Sequence, residues 1–280
     1  MMWKKIRKFQ ALLSIPELKL PSQRIVITVD LDQPLFDPDL RRFIERIALF
    51  GTPLTIFTPN QPLSSRGYGG IRDLLDFARQ KELVIEMGSH SVTHESLKGK
   101  KTSEIVSIIG KSIGLFREGG IPAHGFRAPF LSIEGTYRHI LPKMEKDILM
   151  YDSSVLYEGN LFHSRLHDLT PRKCPHRVGS VWELPLSCLD DYSLFEKLKK
   201  PDSFVSSYWK RKMEINLRNH HYFLLLIHPP VILNHFRELE DLLTYGIQNY
   251  SETCFTTCYE LVKQLSQGKA EKEAPGNEDL

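Results

Sequence analysis

The sequence predicts an α/β fold built on a parallel sheet, and three observations lead there. Short apolar runs rich in β-branched residues, such as Arg24–Asp30, Leu54–Thr58 and Tyr222–His228, alternate with stretches of helical period. These runs are continuously apolar, as strands covered on both faces are. Polar residues of catalytic type follow the runs directly, at the strand ends where parallel α/β folds collect function.

Taken in order, Arg24–Asp30 is the first strand, and Pro38 and Asp39 open a helix from Leu40 to Phe50 with Gly51 as its stop. Leu54–Thr58 is a second strand, Ile71–Gln80 a second helix and Leu83–Met87 a third strand ending at Gly88-Ser-His-Ser-Val-Thr-His94. A helix over 103–117 leads to a strand ending in Gly125-Phe-Arg-Ala-Pro-Phe130, and a helix is expected near 133–145. Val181–Leu186 reads as a strand whose Pro185 marks an edge or irregular end. A helix over 203–219 precedes the most hydrophobic strand, Tyr222–His228. A helix near 235–246, a short strand at 253–257 and a helix to about 265 complete the pattern. There are no repeats and no dividing linker, so one domain is expected over residues 23–265. It is preceded by a basic amphipathic segment (1–22) and followed by a polar tail (266–280) expected to be disordered.

Composition excludes several classes. Of 280 residues 41% are hydrophobic and 25% charged, as in globular domains, and the net charge of +3 gives no support to nucleic-acid binding. The four cysteines, Cys174, Cys188, Cys254 and Cys258, form no CxxC pair and are expected to be reduced and buried. The short apolar run after the N-terminal basic residues meets Pro16 without a cleavage site, so the chain is expected to be cytoplasmic. Trp3, Ile6, Phe9, Leu12 and Leu13 fall on one face of a basic helix over 2–15, which either packs on the domain, the commoner arrangement, or makes weak contact with a membrane surface.

The chemistry concentrates in a few residues. Asp30 and Asp32, two apart in extended chain, point to one side, and close carboxylates repel unless a cation lies between them. His90 and His94, with one carboxylate, make a ligand set of the kind a catalytic zinc uses while keeping a position for water. That leaves Asp30 as a general base. His228, at the end of the most apolar strand, is an acid of suitable intrinsic pKa for protonating a departing amine. Arg127 and Asp152 have ordinary structural readings, a strand-end arginine and a helix cap. The joint appearance of all these residues at strand ends is what calls for a shared explanation.

The order of these residues resembles the polysaccharide deacetylases, the NodB-homology group or carbohydrate esterase family 4. The stretches that carry the likeness are Thr28-Val-Asp30-Leu-Asp32-Gln-Pro34, His90-Ser-Val-Thr-His94, Arg127-Ala-Pro-Phe130, Tyr151-Asp-Ser-Ser154 and Leu226-Ile-His228. The resemblance implies a single-domain distorted (β/α)7 barrel. It implies a divalent metal on Asp32, His90 and His94, zinc before cobalt, manganese, nickel or iron. It gives Asp30 the role of base, His228 that of acid, Arg127 that of brace for Asp30, and Asp152 that of orienting the acid. Phe130 and Leu226 would meet the substrate, Leu226 at the acyl methyl group. Leu31 between the aspartates and Gln33 in place of the usual glycine depart from the family pattern and point to an Asp-x-Asp branch.

The expected activity is removal of an N-acyl group, N-acetyl first, from an amino sugar of a glycan or its precursor. The alternatives are a deformylase or amidase acting on a lipid-linked amino sugar or small amide, and a barrel that binds glycan without cleaving it. The basic loop over 163–177 suits a phosphorylated or lipid-linked substrate at the cytoplasmic membrane face, or is a solvated insertion.

Overall fold

A computed structural model of the chain describes residues 20–32, 38–60, 69–156 and 174–273. The expected N-terminal helix, most of the basic loop, Gln33, Pro34 and the last seven residues lie outside them. Eight described strands form one sheet: β1 (Arg24–Asp30), β2 (Leu54–Thr58), β3 (Ile85–Ser89), β4 (Ala123–Phe126), β5 (Tyr151–Asp152), β6 (His176–Val178), β7 (Val181–Glu183) and β8 (Tyr222–Ile227). Their order is β6-β7-β5-β4-β3-β2-β1-β8. Seven strands run parallel, and β6 pairs antiparallel with β7 at one edge. The sheet curls so that the segment after β7 reaches β8, where Ser187 N donates to Leu224 O at 3.0 Å and Tyr222 Oη to Pro185 O at 3.0 Å. This is the distorted (β/α) barrel in one domain.

The long helices are α1 (Pro38–Ala48), α2 (Gly69–Gln80), α3 (Thr102–Glu118), α4 (Asp202–His220), α5 (Phe236–Asn249) and α6 (Cys258–Glu273). In α1, Leu40, Phe43, Ile44 and Ile47 are buried, the three-and-four spacing of a helix that covers a sheet. Strand parity then divides the core. Ile25, Ile27 and Val29 pack with the helices, whereas Val26, Phe57, Tyr151, Leu224 and Leu226 form a second cluster inside the curl. Parity with Val26 sends Thr28 and Asp30 inward, and parity with Leu224 and Leu226 sends His228 inward. One side of each strand therefore converges on a single interior end.

Three expectations need correction. Residues 133–145 form no continuous helix but a short one, Tyr137–Ile140, followed by a 3-10 turn, Leu141–Lys143. Pro142 lacks the N–H that helix propagation needs. Residues 253–257 are a 3-10 turn, Glu252–Cys254, plus a lone bridge from Phe255 to Ile25. The last helix runs on to Glu273, past the boundary expected at 265. All four cysteines are free and buried.

Candidate active site and metal centre

Asp30, Asp32, His90, His94, Phe130, Leu226 and His228 line one cavity of about 610 Å³ at the carboxyl ends of the strands. Asp32 Oδ1 lies 2.9 Å from His94 Nε2 and 3.6 Å from His90 Nε2. The three donor atoms all fall within 4.8 Å of one another. His90 Nδ1 sits 2.8 Å from the carbonyl oxygen of Arg127, which fixes that nitrogen as the donor and turns the Nε2 lone pair toward Asp32 and His94. Burial works against the Asp32 charge, but its contacts with His90 and His94 prevail and hold the carboxyl well below the usual range. The hydrogen bond to Asp32 in turn raises the His94 pKa. Two imidazoles and a carboxylate, one imidazole braced from behind, fit a divalent transition metal.

The loop that places His94 is held by Glu95. Its carboxylate accepts from Ser91 Oγ (2.9 Å), Thr93 N (3.0 Å) and Thr93 Oγ1 (2.5 Å), while Ser91 Oγ accepts from His94 N at 3.0 Å. Ser91, His94, Phe130 and Leu131 adopt left-handed backbone at φ of 70°, 59°, 59° and 51°. Left-handed conformations of such residues cost energy, and they gather where a surrounding structure needs a side chain aimed. Phe130, 71% exposed, packs its ring edge against His94 with centroids 4.9 Å apart.

Asp30 is buried, and its Oδ1 accepts from Arg127 Nη1 at 2.8 Å. Arg127 is fully buried and spends its donors in fixed directions: Thr28 Oγ1 (2.9 Å), Ser153 O (2.9 Å) and Ser153 Oγ (2.8 Å), with its plane 4.3 Å from the Phe57 ring centroid. The guanidinium thus supplies the counter-charge that a buried carboxylate requires. Asp30 Oδ2, the free oxygen, stands 3.7 Å from His90 Nε2.

His228 lies across the cavity, and its partner differs from the one expected. Asp191 Oδ1 contacts His228 Nδ1 at 2.7 Å, and Asp191 Oδ2 accepts from the His228 backbone N–H at 2.8 Å. Burial lowers the His228 pKa, but the Asp191 carboxylate outweighs it and lifts the value to about 9. Asp152 does not reach His228. It accepts from Ser154 N (3.0 Å) and Ser154 Oγ (2.8 Å), and Ser154 Oγ accepts from Ala128 N (2.8 Å). Asp152 thereby props the Arg127–Phe130 segment. Paired with it across β5 and β7 is buried Glu183, whose pKa is pushed up by burial and by the Asp152 charge. The available sequence signal for Asp191 was Asp190-Asp191-Tyr192, two adjacent acids soon after a strand-like run.

No family model matches this chain, and no curated protein does. Solved structures do match. A Mycobacterium smegmatis protein provisionally named a polysaccharide deacetylase shares 19% identity over 91% of this chain and 93% of its own, with a TM-score of 0.65. An allantoinase shares 11% identity over 87% and 90%, with a TM-score of 0.61. A carbohydrate esterase family 4 pseudoenzyme from Bacillus anthracis shares 13% over 86% and 66%, with a TM-score of 0.50. The chain therefore has the fold that polysaccharide deacetylases share with an allantoinase.

Proposed function

We propose that the chain is a metal-dependent hydrolase that removes an N-acyl group, most simply N-acetyl, from an amino sugar of a glycan or glycan precursor. This fold also serves a pseudoenzyme, so activity has to be argued from the side chains. The observation that carries the reading is the opposition, in one cavity, of the Asp32–His90–His94 donor set and the Asp191-held His228, with Asp30 beside the donors. When bound by those donors, a divalent ion supplies a Lewis acid for the scissile carbonyl and acidifies water.

The chain's own residues do the rest. Asp30, with Oδ1 tied to Arg127, presents Oδ2 to accept the proton of the attacking water. Within Arg127–Phe130, the Arg127 amide is given to Ser89 O and the Ala128 amide to Ser154 Oγ, and Pro129 has none. In the proposed reading the Phe130 amide serves as the oxyanion donor. As the carbon–nitrogen bond breaks, His228 delivers its Nε2 proton to the departing amine, leaving a carboxylate and a free amino sugar. Leu226 lines the cavity where the acyl methyl group would lie.

The allantoinase match favours a second reading, hydrolysis of a small amide by the same residues. One assay separates the readings. Released acetate and formate are measured over nucleotide-linked, lipid-linked and oligomeric amino sugars, and ring opening over a cyclic ureide, each with and without chelator. Chelator-sensitive acetate release from an amino sugar is expected. Formate release from a lipid-linked sugar, or ureide opening alone, moves the substrate to that class. No chelator-sensitive turnover of any substrate would instead favour a barrel that only binds glycan.

A further inference from the structure

The cavity has an edge that the proposed chemistry leaves unused. From Tyr192 the chain makes a wide turn, Tyr192–Lys197, continues through Leu198, Lys199 and Lys200, and enters α4 after Pro201. Along it, charge and apolar surface alternate in contact. Lys197 Nζ lies 5.1 Å from the Tyr192 ring centroid and Lys200 Nζ 5.2 Å from that of Phe204. Phe204 stacks on Tyr208 at 6.0 Å, and Lys212 Nζ sits 5.5 Å from the Tyr208 ring.

Tyr192, Leu198 and Phe204 are 45%, 51% and 43% exposed. They are three of the seven large hydrophobic side chains left exposed among the described residues, and a fourth, Phe130, faces the same cavity. Lone exposed apolar residues need no explanation, but a run of them beside a functional cleft does. Four lysines (Lys197, Lys199, Lys200, Lys212) stand among them. Facing them are Glu196, paired with Lys199 at 2.9 Å, and Asp202, bonded to His235 at 2.9 Å. The ridge is therefore net positive.

We propose that this ridge seats the mouth of the cleft on the headgroup layer of an anionic lipid bilayer. Spaced apolar tips interleaved with flexible lysines suit a fluid, negatively charged surface: the tips enter the interface while the ammonium groups reach phosphates. A protein partner would call for a continuous apolar patch, and the lysines here interrupt one. No described helix is long and apolar enough to cross a membrane, so the ridge would lie on the surface. The docking surface and the chemistry in the cavity can fail separately.

The test is flotation of the full chain with phosphatidylcholine vesicles and with vesicles of phosphatidylcholine and phosphatidylglycerol. Binding is expected to the anionic vesicles alone and to be released by salt. Lys199→Gln/Lys200→Gln is expected to weaken partition about 30-fold, since each basic residue near such a surface contributes about fivefold. Leu198→Ala/Phe204→Ala, which keeps every charge, is expected to weaken it about tenfold. Both variants alter exposed side chains, and unchanged melting temperatures confirm their folding. Equal flotation with neutral vesicles, no flotation at all, or wild-type partition in both variants would each overturn the proposal. So would capture by an anionic polysaccharide without vesicle binding.

Discussion

Asp30 and Asp32 are two residues apart and meet different partners, and the proposed reading gives them separate roles. Asp32 faces two imidazoles, whereas Asp30 is locked to a buried guanidinium that would be left uncompensated without it. Asp30→Asn is expected to lower turnover about 100- to 10,000-fold while metal content stays near wild type, read by elemental analysis beside the rate. Metal loss like that of His94→Ala would remove Asp30 from the role of base. His228 offers a second check. With its pKa at about 9, the acid stays charged through neutrality and activity falls as pH rises toward that value; a bound dication nearby brings the limb somewhat lower. Asp191→Asn removes the carboxylate that outweighs burial, so the alkaline limb moves down toward the ordinary 6.5 or below. Asp152→Asn should leave the limb in place. A limb that follows Asp152 and ignores Asp191 would restore the original expectation. That expectation failed because nothing in a linear sequence says which acid crosses to β8. The crossing depends on the Ser187–Leu224 contact, between residues 37 apart.

The elements were legible where one physical signal dominates. Continuous apolar runs located β1, β2 and β8, and buried positions three and four apart located α1. Residues 133–145 misled because their apolar spacing is helical while Pro142 breaks the hydrogen-bond ladder. Some packing demands were invisible until neighbours were known. Gly125 on β4 faces the Tyr151 ring of β5 so closely that a Cβ there would overlap it, and Gly88 on β3 places its missing Cβ 2.6 Å from Phe57. Tyr151 cannot withdraw freely, since its hydroxyl is held by half-buried Glu86 at 2.5 Å. Gly125→Ala is therefore expected to destabilise the fold by about 1–3 kcal/mol, measured as a denaturant midpoint shift at constant slope. An unchanged midpoint would mean that the β4–β5 contact yields, and that Tyr151 is not the anchor described.

At the scale of the whole molecule, the same sheet that gathers the site also holds a half-buried carboxylate among several elements. Glu86 accepts from Thr55 Oγ1, Tyr259 N and the Tyr151 hydroxyl, joining β2, β3, β5 and the start of α6. Burial raises its pKa from 4.5 to about 7 despite those donors. The folded state thus holds this proton more tightly than the unfolded one. Its contribution is complete below about 4.5 and lost as pH rises through about 7. Melting temperature should fall across that window, and Glu86→Gln should flatten the fall; an identical slope in the variant would place the titration elsewhere.

Calorimetric titration of chelator-stripped full chain with zinc tests most directly whether Asp32, His90 and His94 hold a divalent ion. One site per chain is predicted for the wild type. Affinity should drop more than about 100-fold in His94→Ala, beyond the cost of losing a supporting partner. Zinc binding equal in the two proteins, or none in the wild type, would contradict that reading.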